Sequence, residues 1–218
     1  MKHLFILMAA LFVIIPTNSQ TKKQIRKAPA KVVTKKVDTA PKVEETKPEP
    51  PSADGKFKCI GDAFKNETNY KQFIVVTATG KNASELKSSI INILSSLFDH
   101  PDKVISTVGE NIVMVNAYDG TGFTKRETRN GKPSSTSYTY SYSIKIEIKD
   151  GKIKINSPSF SNLKATLHYL GQDRFLGTYD EESFYYAMKE ANAENKVESL
   201  MNSYIDKIVS GLSKNDDW

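Results

Sequence analysis

A chain of 218 residues with a single cysteine is long enough to bury a core, and it can close no internal disulfide. Its formal charge of +6 does not belong to the folding part: from Lys56 to Trp218 there are 21 basic and 20 acidic side chains. A domain so close to neutral lacks the concentrated basic surface that nucleic-acid recognition needs, so no nucleic acid is expected among its partners.

Lys2 and His3, the apolar run Leu4–Ile15 and the small polar Pro16-Thr17-Asn18-Ser19 have the pattern of a secretory signal peptide over residues 1–19. The run is too short to span a bilayer comfortably, so no transmembrane helix is expected after cleavage. No cysteine lies near the cleavage region to carry a lipid. Residues 20–55 are rich in Lys, Pro, Ala and Glu and hold no aromatic residue. Such a segment cannot bury enough apolar surface to offset its ordering entropy and reads as a disordered tether. Its first half (Lys22, Lys23, Arg26, Lys27, Lys31, Lys35, Lys36) is purely basic, suited to anionic envelope polymers or to solvation alone. Asp38-Thr39-Ala40 resembles a short O-glycosylation signal of some Gram-negative secretory pathways, which makes Thr39 a candidate modification site. The expected location is secreted or periplasmic, in a Gram-negative envelope, with one α+β domain over residues 56–218.

Within that domain, Tyr70–Thr79 reads as a strand around the apolar Phe73-Ile74-Val75-Val76. Asn82 is placed as a helix N-cap with Glu85 at the capping-box position. Leu86, Ile90, Ile93, Leu94, Leu97 and Phe98 form the apolar stripe behind it, and Pro101 stops the helix near Asp99. Val104 and Val108 lead into Gly109-Glu110-Asn111. A two-residue loop there sets both valines on the face of Val113 and Val115, and a three-residue loop flips them. From Tyr138, Tyr140, Tyr142, Ile144, Ile146 and Ile148 alternate with polar residues, the pattern of a strand with one buried face. Asp150-Gly151 and Asn130-Gly131 read as type I′ hairpin turns. The first predicts Ile148 opposite Ile153, Ile146 opposite Ile155 and Glu147 opposite Lys154. The second predicts Val113 opposite Ile148, Val115 opposite Ile146 and Ala117 opposite Ile144.

Tyr118–Tyr138 reads as a polar hairpin arm projecting past the sheet. Ser157–Asn162 reads as loop, Leu163–Tyr169 and Phe175–Tyr179 as extra strands, and Asp180–Lys189 as a short helix with acids in its first turn. Val197, Leu200, Met201, Tyr204, Ile205, Ile208 and Leu212 mark an amphipathic terminal helix that packs on the sheet.

The order strand, helix, four strands, helix carries Thr77-Ala78-Thr79-Gly80-Lys81, Ser84-Glu85-Leu86 and Ile144-Lys145-Ile146-Glu147-Ile148-Lys149-Asp150-Gly151-Lys152. In these residues the chain resembles an uncharacterised secreted domain family of Gram-negative bacteria with a TATA-binding-protein-like (TBP-like) fold. The resemblance covers roughly Phe73–Asn156 and, more loosely, the final helix. It implies a β-α-β(4)-α order, an antiparallel sheet with two helices on one face and an insertion, Ser157–Ala193, before the last helix. The family has no assigned activity, so no catalytic residue follows from it.

The residues themselves offer little chemistry. His100 sits at a helix stop, His168 is out of phase with Leu167 and Tyr169 and is expected to face solvent, and the two share no metal-ligand spacing. Cys59 reads as a small buried residue rather than a reactive thiol, and Asp180-Glu181-Glu182 lacks a calcium-loop pattern. Asn66-Glu67-Thr68 and Asn82-Ala83-Ser84 match the eukaryotic N-glycosylation pattern, which is irrelevant if the source is bacterial. The expectation is therefore no catalytic residue, no metal and no cofactor. The favoured function is a non-catalytic binding or interaction module whose partner is an unidentified protein or envelope component. The alternative is a small apolar-ligand carrier with a cavity between the sheet and the C-terminal helix. The expected partner-binding face comprises Met114, Asn116, Tyr118, Lys145 and Lys154, a mixed surface with a Met114/Tyr118 seam. In the competing reading, Ser157–Ala193 folds over that seam and buries it.

Overall fold

The structure, a computed structural model, describes residues 49–214. The signal peptide (1–19), the tether up to residue 48, and Thr39 lie outside the described residues. In chain order the elements are β1 (Ser52–Ala53), β2 (Phe57–Cys59), β3 (Phe64–Asn66), β4 (Phe73–Thr77), α1 (Ala83–Ser95), α2 (Pro101–Val104), β5 (Ile105–Val108) and β6 (Ile112–Arg129). They continue with β7 (Lys132–Lys149), β8 (Lys152–Asn156), β9 (Ser159–Tyr169), β10 (Gln172–Tyr179), α3 (Glu181–Glu190) and α4 (Glu194–Ser213). Among the described residues the fold is α+β, with an eight-stranded antiparallel sheet, a two-stranded one (β2-β3) and four helices.

The long strand β7 organises the sheet. One of its edges pairs with β6 throughout; the other is shared, β8 taking Ile146–Lys149 and β9 taking Ser134–Ser143. Two regions result. The body runs β1-β4-β8-β7-β6-β5, and the arm consists of the far halves of β6 and β7 extended by β9 and β10. Residues 157–193 thus add strands beside the arm and a helix over it, leaving the Met114/Tyr118 seam uncovered; Tyr118 is 56% exposed. The arm is no free ribbon, because β9 pairs along it. Ser159–Asn162, expected as loop, is part of β9.

The Asp150-Gly151 hairpin has the predicted register: Ile148 faces Ile153, Ile146 faces Ile155 and Glu147 faces Lys154. Its turn chemistry differs, since Gly151 has positive φ and Asp150 does not. Asp150 instead uses Oδ1 to accept the Ala83 N–H at the start of α1 (2.8 Å), which ties the turn to the helix.

At Asn130-Gly131 both φ values are positive, as a type I′ turn requires. The pairing beyond it is displaced: Val113 faces Ile146, Val115 faces Ile144 and Ala117 faces Tyr142. A bulge is the cause. Asp119 pairs with Tyr140 and Phe123 with Tyr138, so β6 carries two extra residues there. A slip of two preserves the face, and the buried residues are the expected ones. Asp119 builds the bulge by accepting from the Thr121 N–H (2.9 Å), the Thr121 hydroxyl (2.8 Å) and the Gly122 N–H (2.9 Å). Gly122 is required: at φ 37° an added Cβ would lie 1.6 Å from the Tyr138 carbonyl oxygen.

The Gly109 turn has the three-residue form, with Val108 opposite Ile112, so Val108 turns outward and is 54% exposed. Helix α1 has the predicted capping box (Asn82 Oδ1 from the Glu85 N–H, 3.0 Å; Glu85 Oε2 from the Asn82 N–H, 2.9 Å). It ends at Ser95 rather than near Asp99, and Pro101 opens α2, a position where its missing N–H costs nothing.

Helices α1 and α4 bury Leu86, Ile90, Leu94, Val197, Met201, Ile205 and Ile208 with Ile144, Ile146 and Ile148 in one core. Gly211 lets the two helices approach, since a Cβ there would meet Ile93 Cδ1 at 2.6 Å. The domain also begins earlier than the composition break at Gly55. β1 pairs with β4, and Asp54 Oδ1 accepts the Val75 N–H (2.8 Å).

Candidate functional site

The five residues of the expected partner face do share one side of the sheet, away from α1 and α4. Met114 is opposite Lys145, Asn116 opposite Ser143 and Tyr118 opposite Ser141; Lys154 stands one strand further, opposite Glu147. Most of their polar groups are already engaged. Ser143 donates to Asn116 Oδ1 (2.6 Å), and Lys145 and Lys154 both pair with Glu147 (3.1 and 3.5 Å). Lys154 also lies over the Phe73 ring (4.9 Å). The Asn156 side chain, then Lys145, hold the Glu147 carboxyl below its ordinary range. Tyr118 remains as the exposed apolar element of this face.

The other side of the arm carries a more concentrated feature. Period-two alternation brings Tyr138 and Tyr140 to the face where Phe123, Phe160 and Phe184 meet. Phe160 and Phe184 stack at 4.0 Å, Phe184 meets Tyr140 edge-on at 4.9 Å, and Phe123 stacks on Tyr138 at 5.1 Å. Helix α3 supplies Phe184 and is started by Asp180, whose Oδ1 accepts the Ser183 N–H (2.9 Å). One turn of α3 then faces β10 across a gap. This open cleft has a volume of about 390 Å³. Its floor is Tyr138, Leu163, Ala165 and Ala187; its rim is Leu176, Tyr179 and Tyr186, with Glu182 and Ser183 at one side. Tyr186 is 69% exposed. No basic side chain lines the cleft. The nearby Lys125 is held by Glu190 (2.8 Å) and Glu127 (3.9 Å). Burial pushes the Tyr138 phenol up, so it is a neutral hydrogen-bonding group.

No family model matches the chain, and no curated protein matches it. A solved structure of a DUF4468 family protein from Bacteroides ovatus overlays with a TM-score of 0.44 at 8% identity, over 74% of this chain and 93% of that one. A TBP-like protein from Parabacteroides distasonis overlays with a TM-score of 0.33 at 11% identity, over 62% of this chain and 90% of that one. Their descriptions, a DUF4468 family protein and a TBP-like protein, are of the kinds the sequence resemblance names. Neither overlay transfers a topology or a function to this chain.

The 390 Å³ cleft and two others, of about 470 and 350 Å³, are lined by no residue of α4. Sheet and terminal helix are joined directly, by the stripe of α4 in the core and by a hydrogen bond between the Tyr142 and Tyr204 hydroxyls. The polar edge of α4 carries residues that helical periodicity alone did not single out. Asn202 takes the Phe57 N–H (2.8 Å) and returns a bond to the Phe57 carbonyl (2.9 Å). Glu198, 7% exposed, takes the Cys59 N–H and the Lys58 ammonium, each at 2.9 Å. They pin β2, and through its pairing β3, to the helix. Cys59 sits in this structural contact, its thiol pushed up chiefly by burial.

His168 does not merely face solvent. It bonds both Asp173 and Ser137, partners on neighbouring strands that alternation along β9 cannot reveal. Among the described residues no cluster of His, Cys, Asp and Glu is placed to hold a metal ion, and no helix is long and apolar enough to cross a membrane.

Proposed function

We propose that this domain is a secreted or periplasmic binding module, with the cleft between β9–β10 and α3 as its ligand site. The chemistry there is binding alone. The observation that supports the reading is an aromatic-rimmed, apolar-floored opening in the size range of small-molecule sites. Exposed tyrosines offer large, stiff contact area with a polar tip at low entropic cost. Without a lining cation, and with Glu182 at its side, the cleft suits a neutral ligand with one apolar face. A signal peptide over residues 1–19 and a tether over residues 20–55 belong to the same proposal, as does the TBP-like β-α-β(4)-α core into which 157–193 is inserted. A binding module accounts for the cleft without a cavity under α4, which the carrier reading required. The face of Met114, Asn116, Tyr118, Lys145 and Lys154 is assigned to a protein partner or envelope component as a separate surface.

Titration of the full chain with the neutral fluorophore N-phenyl-1-naphthylamine tests the reading. Saturable one-to-one binding is expected, weakened by Leu176→Asp and by Tyr186→Ala, with melting temperatures held. Unsaturable binding, or binding indifferent to both substitutions, refutes the cleft as the site.

A further inference from the structure

On the face of the arm opposite the cleft, three side chains from three adjacent strands form a hydrogen-bonded chain. Ser135 of β7 is opposite His168 of β9, and His168 is opposite Asp173 of β10. Ser137 is therefore diagonal to His168 on one face, a separation that longer side chains cross between antiparallel strands. Asp173 Oδ1 lies 2.6 Å from His168 Nδ1, and Ser137 Oγ lies 2.9 Å from His168 Nε2. A carboxylate only accepts, so the neutral ring carries its proton on Nδ1 and presents Nε2 to the Ser137 hydroxyl.

Hydroxyl, imidazole and orienting carboxylate follow one another as in an activated serine nucleophile, an arrangement recognised by geometry rather than by position in sequence. The chain is open to solvent along its length: Ser137 is half-buried, and the side chains of His168 and Asp173 are 37% and 70% exposed. β7 is paired on both edges here, so its backbone N–H groups are committed to the ladders. A cation must do the work of an oxyanion hole. Arg126 is opposite Ser135 on β6, on the same face and diagonal to Ser137, and it lines a cleft of about 350 Å³ together with His168 and Asp173.

We propose that Ser137 is an acyl-accepting nucleophile for carboxylic esters, with His168 as its base, Asp173 as the positioning residue and Arg126 facing the developing oxyanion. Ser137 Oγ bonds to the carbonyl carbon as its proton passes to His168 Nε2. The carbon–oxygen bond to the alcohol then breaks, and the alcohol leaves with that proton. Water next gives a proton to His168 and attacks the acyl-serine; the carboxylic acid departs as Ser137 Oγ regains a proton from the ring. This site lies on the opposite face from the aromatic cleft and does not rest on that reading.

An alkyl fluorophosphonate tests it, because attack by Ser137 on phosphorus expels fluoride and leaves a stable adduct. The full chain is incubated with the probe and the adduct located by peptide mass mapping. A single adduct on Ser137 is expected, absent from Ser137→Ala. Its formation slows by about 10²-fold or more in His168→Ala, the scale of general-base assistance, and by a smaller factor in Asp173→Asn, with all melting temperatures unchanged. No adduct, an adduct on another residue, or equally fast labelling of Ser137 in His168→Ala overturns the proposal.

Discussion

Where β7 passes from the body of the sheet into the arm, its buried face changes from isoleucine to aromatic. Ile144, Ile146 and Ile148 pack under α1 and α4, whereas Tyr138 and Tyr140 join Phe123, Phe160 and Phe184 under α3. The aliphatic half is buried directly beneath α1 and α4, and none of the three clefts is lined by α4. The aromatic half is built of stiff rings meeting at fixed angles, and beyond their edge Tyr179 and Tyr186 stand 41% and 69% exposed around a cleft. One strand thus floors both the aliphatic core and the aromatic-rimmed cleft proposed as a ligand site, and the bulge at Asp119 marks the change.

The largest expected effect comes from cutting the aromatic hub. Phe184→Ala, at a fully buried position, is expected to cost about 3–5 kcal/mol, against about 2–5 kcal/mol for Ile146→Ala. Hydrogen exchange separates the two. Phe184→Ala should speed exchange in β9, β10 and α3 ahead of β4 and β8, and Ile146→Ala should speed both regions together. Equal acceleration everywhere in Phe184→Ala would erase the distinction between body and arm.

The junction itself is next. Gly122→Ala forces a Cβ into the Tyr138 carbonyl and is expected to cost at least about 2 kcal/mol in urea unfolding. A neutral result would mean that the bulge does not set the register.

Asp119 gives a smaller effect with a pH signature. Burial pushes its carboxyl up, but bonds from Thr121, Gly122 and Tyr140 outweigh this and hold it below the usual range. The folded value being the lower one, its contribution is present above the unfolded value of about 3.9 and is lost as pH falls through the folded one. Asp119→Asn is expected to cost on the order of 1 kcal/mol at neutral pH after solvent screening. The gap to the native chain should narrow as pH falls below the unfolded value and through the lower folded one. A gap independent of pH would show that the charge is idle.

The smallest effect belongs to the seam. Tyr118→Ala with Met114→Ser should change stability by no more than about 0.5 kcal/mol, since Tyr118 is largely exposed and 157–193 does not cover it. A fall of many degrees in melting temperature would place the seam inside the fold.

The body was legible because strict alternation from Tyr138 to Lys149 and two glycine turns each specified one face, and a slip of two residues cannot change a face. The slip was not legible. It depends on Asp119 folding back on Thr121 and Gly122, in a stretch whose polar composition says only that the ribbon is exposed. Asp180 as the start of α3 could be read from its acids. That Phe184 would stack on Phe160 could not, because the contact spans a hairpin and a helix. The pairing of Ser137 with His168 is hidden for the same reason, as are Glu198 and Asn202, which act on a strand about 140 residues earlier.

The most direct test of the recognition region is amide NMR mapping of the full chain during titration with N-phenyl-1-naphthylamine. The account predicts saturating shifts confined to β9, β10 and α3, centred on Leu176, Tyr179 and Tyr186, with the isoleucine strands of the body unmoved. Shifts centred instead on Tyr118 and Met114, or on α4 and the Ile144–Ile148 layer, would contradict it.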